Sequence, residues 1–373
     1  MDRITVAGIL IPIVLLAAAF SVRTAHATSP RERAVQALDS LIDRYWNPAL
    51  SMFNTADPCN DCNRVFHYWW QAHAIDALLD GYVLTGDPKY MDVMEQLYAG
   101  VRRRNGGHLF NDYYDDMLWM ALALLRAYEI TGQDRYLTNA QRLWLDIQGG
   151  WNDHYGGGIA WRKTQRDYKN APANGPAVIL TARLYRVTGD PEYLDWALRI
   201  YNWLEENLVD PRTRLVWDGI NRQGDGAIDK DWLFTYNQGT YIGANVALWE
   251  VTGDEQYLER AKRTATASLL YLTRSGGVFQ DEGQGDGGLF KGILVRYLVE
   301  LVRADEDTAQ IRNALLRNAE SAWASRTPSG TFGPRWQGPP HSGTVDLSSH
   351  LSGVMLMTLT AGLQASEVSA AAP

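Results

Sequence analysis

Thr85-Gly86-Asp87-Pro88-Lys89-Tyr90 returns three times: as Thr131-Gly132-Gln133-Asp134-Arg135-Tyr136, as Thr188-Gly189-Asp190-Pro191-Glu192-Tyr193, and as Thr252-Gly253-Asp254-Glu255-Gln256-Tyr257. Each copy separates two stretches whose apolar residues recur at helical spacing. Glycine supplies the left-handed residue that stops one helix. Asp then caps the next, and Pro, where present, occupies its first turn without losing a hydrogen bond. The motif is a tight helix–helix connection, and its recurrence every roughly 45 to 65 residues marks repeated helical hairpins.

Reading outward from these turns, the sequence predicts about twelve helices. They cover 29–46, 66–84, 88–103, 112–131, 134–149 and 171–187, then 191–207, 236–251, 255–273, 286–303, 306–325 and 346–365. Strand signals are weak; the Gly-rich pieces at 156–161 and 275–280 suit small hairpins. The loops are asymmetric. Connections leaving the even-numbered helices are short turns, whereas those entering them, at 47–65, 104–111, 150–170, 209–235, 274–285 and 326–345, are long and rich in Trp, Gly and Asp. Long loops in a compact domain usually carry function.

Composition separates the helices further. Met117-Leu118-Trp119-Met120-Ala121-Leu122-Ala123-Leu124-Leu125 is apolar on every face, as is Gly353-Val354-Met355-Leu356-Met357, and such helices are buried. The odd-numbered helices, such as 191–207 with Glu192, Asp195, Arg199, Glu205 and Glu206, are amphipathic and belong outside. Six inner helices alternating with six outer ones make an all-α (α/α)6 toroid. All inner helices then run the same way, so their N-termini and the long loops share one mouth.

The N-terminus reads as a secretory signal peptide over residues 1–27. Arg3 gives a positive start, Val6 to Phe20 is almost unbroken apolar sequence, and Ala25-His26-Ala27 offers a cleavage site after Ala27. The apolar run is shorter than the roughly 20 residues a membrane span requires. A single catalytic domain is expected over 28–365, followed by a disordered tail at 366–373. The net charge of −8, with no dense Lys/Arg cluster, disfavours a nucleic-acid or anionic-membrane partner and suits a neutral substrate. The 14 Trp and 19 Tyr against 8 Phe favour rings with a polar handle, which can meet both the C–H faces and the hydroxyls of a sugar. Cys59 and Cys62 form a lone C-x-x-C, for which a local disulfide is the expected state in an exported protein.

The starts of the inner helices carry the candidate site: His67-Tyr68-Trp69-Trp70-Gln71-Ala72-His73, Asn111-Asp112-Tyr113-Tyr114-Asp115-Asp116, Asn170 to Asn174 preceded by Trp161-Arg162, Tyr236-Asn237-Gln238, and Asp286 to Lys291. Candidate sugar-binding side chains are Trp70, Gln71, Trp161, Arg162, Asn174, Tyr236, Asn237, Gln238, Asp286 and Lys291. His67 and His73 suit either a polar pocket or the core. Asp115-Asp116 is the sharpest feature. Two neighbouring carboxylates cannot both ionise cheaply in a water-poor cleft, so one keeps its proton. A pair split in this way supplies the nucleophile and the proton donor of glycoside cleavage, which retaining enzymes hold about 5–5.5 Å apart. Met117-Leu118-Trp119-Met120 follows at once, so at least one carboxylate should face the buried side.

Tyr-Asp-Asp-Met-Leu-Trp at 114–119, Tyr-Trp-Trp-Gln-Ala-His at 68–73, Tyr-Asn-Gln-Gly at 236–239 and Gly-Gly-Leu-Phe-Lys-Gly at 287–292 together resemble glycoside hydrolase family 76, the endo-α-1,6-mannanases related to fungal cell-wall transglycosidases. The resemblance runs from about residue 30 to 365. It implies an (α/α)6 toroid and a metal-independent retaining mechanism, with Asp115 as nucleophile and Asp116 as general acid/base. It also makes Asp218, in Trp217-Asp218-Gly219, a further acid of the sugar-binding cleft. The expectation is a secreted, monomeric hydrolase of α-mannan without metal or cofactor. Mannan transglycosylation and glycan binding without cleavage are the alternatives.

Overall fold

The structure is a computed structural model and describes residues 28–370, with the backbone alone for 366–370. The expected signal peptide lies outside the described residues. Twelve α-helices follow one another: α1 (Pro30–Tyr45), α2 (Tyr68–Thr85), α3 (Lys89–Arg104), α4 (Tyr114–Thr131), α5 (Asp134–Gln148), α6 (Ala171–Thr188), α7 (Pro191–Leu208), α8 (Thr235–Thr252), α9 (Glu255–Tyr271), α10 (Gly287–Ala304), α11 (Ala309–Ser325) and α12 (Leu347–Ala370). The last continues past the predicted end. Gln364 to Ala370 contains neither Gly nor Pro to stop a helix, so the tail within the described residues is helical rather than disordered.

The repeated turn works as its chemistry requires. Gly86, Gly132, Gly189 and Gly253 all adopt φ between 67° and 73° and end their helices. The preceding threonine adds a bond the motif alone did not reveal. Thr85 Oγ1 donates to the Gly81 carbonyl at 2.7 Å and accepts the Asp87 N–H at 3.1 Å. Thr131, Thr188 and Thr252 repeat the arrangement. Asp87, Asp190 and Asp254 then accept an N–H of the following helix.

Packing closes the ring. α2 contacts α4, α4 contacts α6, and so on through α8, α10 and α12, which returns to α2; each amphipathic helix lies outside. Small residues let the inner helices approach. A Cβ on Gly239 of α8 would lie 2.8 Å from Leu294 Cα and 3.0 Å from Leu294 N on α10. Gly239→Ala is therefore expected to destabilise the protein by about 1–3 kcal/mol, because backbone has to move. A fall in the urea midpoint checks this; an unchanged midpoint would mean that the ring spreads freely.

Buried ion pairs tie three inner helices together. Asp76 and Asp80 on α2 meet Arg126 on α4 and Arg296 on α10, with Asp80 accepting from each guanidinium at 2.6 Å. At the mouth, inner-helix amides clip the loops. The Gln71 carboxamide bonds both the N–H and the C=O of Phe53, at 3.0 and 2.9 Å. Asn174 does the same for Ile159 and Gln238 for Val216. His350 holds the Phe332 N–H at 3.1 Å, and Tyr68 the Leu109 carbonyl at 2.7 Å.

The 150–170 loop forms more than the hairpin expected of it. A three-stranded antiparallel sheet joins 160–162 to Gln165–Asn170 and then to Gly219–Ile220. At 275–280 only an isolated bridge forms, between Thr273 and Phe279.

Candidate active site

Asp115 and Asp116 lie in the first turn of α4, whose unpaired N–H groups place the positive end of the helix dipole beside them. Their environments differ. Asp115 accepts the Asp116 N–H at 2.9 Å through Oδ1 and the Trp161 indole N–H at 3.0 Å through Oδ2. Asp116 receives the Asn111 amide at 3.0 Å. Burial pushes both carboxyls above the ordinary aspartate range. For Asp115 the two N–H donors pull back toward the ionised form. For Asp116 the charge of Asp115 adds to burial and holds the proton on. Of the two, Asp116 has the environment that favours the protonated form and Asp115 the one that favours the ionised form.

Both aspartates line a cleft of about 520 Å³ at the mouth. Trp119, one turn along α4 on the same face, extends its floor. Asp218 forms a hub: it accepts from Asn237 at 3.0 Å and Tyr236 at 3.3 Å on Oδ1, and from Tyr168 at 2.9 Å and Arg222 at 3.4 Å on Oδ2. Arg222 in turn lies 3.7 Å over the Trp232 ring. Asp286 Oδ1 accepts the indole N–H groups of Trp69 and Trp70, each at 3.0 Å. Tyr236 stacks on Phe290 at 3.8 Å. The first residue of α8, Thr235, is bonded by Glu282 at 2.9 Å, and burial pushes that carboxyl up to about 7.

Of the residues singled out in the sequence, Asp115, Asp116, Trp161, Asp218, Tyr236 and Asp286 line the cleft, and so does His67. Seven do not. Gln71, Asn174 and Gln238 are buried, and their amides are consumed by the loop clips. Trp70 is packed under His67 at 3.7 Å and orients Asp286. Asn237 holds Asp218. Arg162 braces the rings of Trp161 and Tyr113. Lys291 is buried, donating to the Pro334 carbonyl under the Trp336 ring. In this structure each of these seven supports the framework of the cleft rather than lining it. His73 belongs to the core beneath the floor, with its ring 4.9 Å from Trp119, and burial lowers its pKa to about 3.

The cleft residues that were missed are chiefly aromatic: Phe66, Trp69, Trp119, Tyr168, Trp232, Phe234 and Phe290, with Arg222. For Trp69 and Trp119 a signal existed. Trp69, His73, Asp76 and Asp80 form a polar stripe at helical spacing on an apolar helix, and Trp119 follows Asp115 and Asp116 by four and three residues.

The sequence profile described as Glycosyl hydrolase family 76 matches residues 29–371. The chain belongs to this family. Within family 76, the α-1,6-mannanase of Salegentibacter sp. HEL1_6 is 42% identical, with a TM-score of 0.86 over 90% of this chain and 100% of that one. A variant of that enzyme with two consecutive aspartates replaced by alanine, described as inactive, has been seen with α-1,6-mannotetrose. A mannan endo-1,6-α-mannosidase of Candida glabrata is 26% identical over 332 residues, covering 80% of this chain and 73% of that protein. The family and the toroid implied by the sequence motifs therefore stand. The Cys59–Cys62 disulfide is present as well.

Proposed function

We propose that this protein is a retaining endo-α-1,6-mannanase that hydrolyses mannan outside the cytoplasm by double displacement. The observation that carries the reading is the unequal hydrogen bonding of Asp115 and Asp116. Two N–H donors favour an ionised Asp115, and its charge keeps the proton on Asp116. In the first displacement Asp115 attacks the anomeric carbon while Asp116 gives its proton to the departing sugar oxygen, and the glycosidic bond breaks. In the second, Asp116 takes a proton from water, whose oxygen displaces Asp115 and restores the starting configuration. Asp115-Asp116 is the one Asp-Asp pair in the sequence, as the inactivated pair of the Salegentibacter enzyme would require.

The leader-like residues 1–27 and the disulfide support export. No helix among the described residues is long and apolar enough to cross a membrane. Incubation with linear α-1,6-mannan is expected to release oligosaccharides of mixed length. EDTA should leave the rate unchanged, since carboxylates fill both chemical roles. Redistribution of chain length without new reducing ends would instead mean transfer to sugar acceptors, and release of nothing would sink the enzymatic reading.

A further inference from the structure

The two aspartates are tied to different walls of the cleft, and the walls differ in chemistry. Asp115 is held by Trp161, whose ring packs edge-on against Tyr168 at 5.7 Å. Beyond lie Asp218, Arg222 and Trp232, a wall dense in hydrogen-bonding groups. Asp116 is held by Asn111, next to the loop carbonyl of Leu109 that Tyr68 clips. The cleft segment on that side is Val65, Phe66, His67 and Tyr68, mainly apolar and aromatic.

The segment leading to that second wall is braced at several points. Arg44 pairs with Asp57 at 2.6 Å, and Cys59 is joined to Cys62. Thr55 Oγ1 donates to the Cys62 carbonyl at 2.6 Å, while the Asn63 amide bonds the Thr55 N–H at 3.1 Å and Asn54 at 2.7 Å. Phe66 packs edge-on to Tyr68 at 5.9 Å. Val65 is 61% exposed at the cleft rim. A short arm, whose regular structure is a two-residue strand ending at Asp57 and a single 3-10 turn at Cys62–Arg64, is thus braced, and toward the cleft it presents Val65, Phe66 and His67, mainly apolar and aromatic.

We infer that the disulfide-braced segment 57–67 is the wall for the departing sugar, and that the saccharide lies with its non-reducing end toward Asp218, Arg222 and Trp232. This rests on the proposed double displacement. The proton donor must reach the oxygen of the departing sugar, so that sugar lies on the side of Asp116; the sugar under attack lies over Asp115. The hydrogen-bonding wall then selects the glycone, through its hydroxyls. The arm offers chiefly a platform for a C–H face, through Val65 and Phe66 beside His67, which tolerates variation in the departing sugar and in the acceptor that replaces it.

The test uses the full chain and α-1,6-mannohexaose labelled at its reducing end, with the length of the labelled products as readout. Phe66→Ala should move cleavage toward the reducing end, shortening the labelled products, and lower kcat/KM about tenfold, as loss of one aromatic contact would. Cys59→Ser/Cys62→Ser should act in the same direction. Trp232→Ala should lengthen the labelled products. Val65→Ser, at an exposed position that does not threaten folding, gives a second reading of the arm and should follow Phe66→Ala. Opposite shifts, or an unchanged pattern in the arm variants beside an active unaltered protein, overturn the orientation alone. An unaltered protein that cuts nothing overturns the proposed function, and the orientation with it.

Discussion

Asp115→Ala is expected to abolish turnover on every mannoside, with a loss of about 10⁴-fold or more, because the proposed double displacement runs through a covalent bond to Asp115. Asp116→Ala should behave differently. Its loss on an oligosaccharide should be about 10²–10⁴-fold, the range for removing a general acid. An activated aryl leaving group barely needs the proton, so formation of the glycosyl–enzyme from an aryl α-mannosyl oligosaccharide should survive. Azide, which attacks without base assistance, should then restore turnover. The structure gives the reason for the difference: the N–H groups of Asp116 and Trp161 converge on Asp115, whereas burial and the neighbouring charge hold the proton on Asp116. Rates of both variants on the aryl substrate, with and without azide, decide the matter. Azide rescue of Asp115→Ala with retained α configuration, and none of Asp116→Ala, would reverse the roles; equal mild losses would remove both residues from the chemistry.

The largest expected change in stability comes from Asp80→Ala. The substitution leaves Arg126 and Arg296 facing each other in the interior with one carboxylate instead of two, and breaking such a buried cluster costs about 3–5 kcal/mol. Burial alone would raise the Asp80 pKa, but the two guanidinium groups outweigh it and bring it down to about 2. The folded pKa is thus below the unfolded one. The resulting stabilisation is fully present above the unfolded value of about 3.9 and is lost as pH falls from there through about 2. Urea midpoints across that window should fall more steeply for the unaltered protein than for Asp80→Asn. Parallel curves would show that the cluster is electrostatically neutral to folding.

The toroid was legible because its determinants are local. A Thr-Gly-Asp turn stops and restarts helices within six residues, and an all-round apolar helix declares its own burial. The Asp115-Asp116 pair was legible for a related reason: two charges at the start of an apolar helix have no bland place to go. The supporting amides were not. Gln71, Asn174 and Gln238 look like sugar ligands at helix starts, but each is spoken for by a loop residue 18, 15 or 22 positions earlier. A spacing that varies from loop to loop leaves no period to detect. The three-stranded sheet escaped notice because Gln165-Arg166-Asp167-Tyr168-Lys169-Asn170 is mostly polar and its third strand lies some 50 residues on. Tyr168 and Trp232 reach the cleft from that sheet and from the loop beyond it, and went unseen for the same reason.

The loop clips have a consequence for how such an enzyme changes over generations. Each clip grips main chain rather than side chain, so it makes no demand on which residue is gripped: Phe53, Ile159 and Val216 are held alike. Between the gripped residue and the next inner helix, the chain is tethered at both ends; outside the 160–170 segment, whose Trp161 holds Asp115, it is open to insertion, deletion or exchange without disturbing the carboxylates on α4. The mouth is in effect a set of interchangeable cassettes on a fixed chassis, and grafting a segment such as 217–234 between family members should transfer preference for a glycan while leaving the bond-breaking machinery where it was.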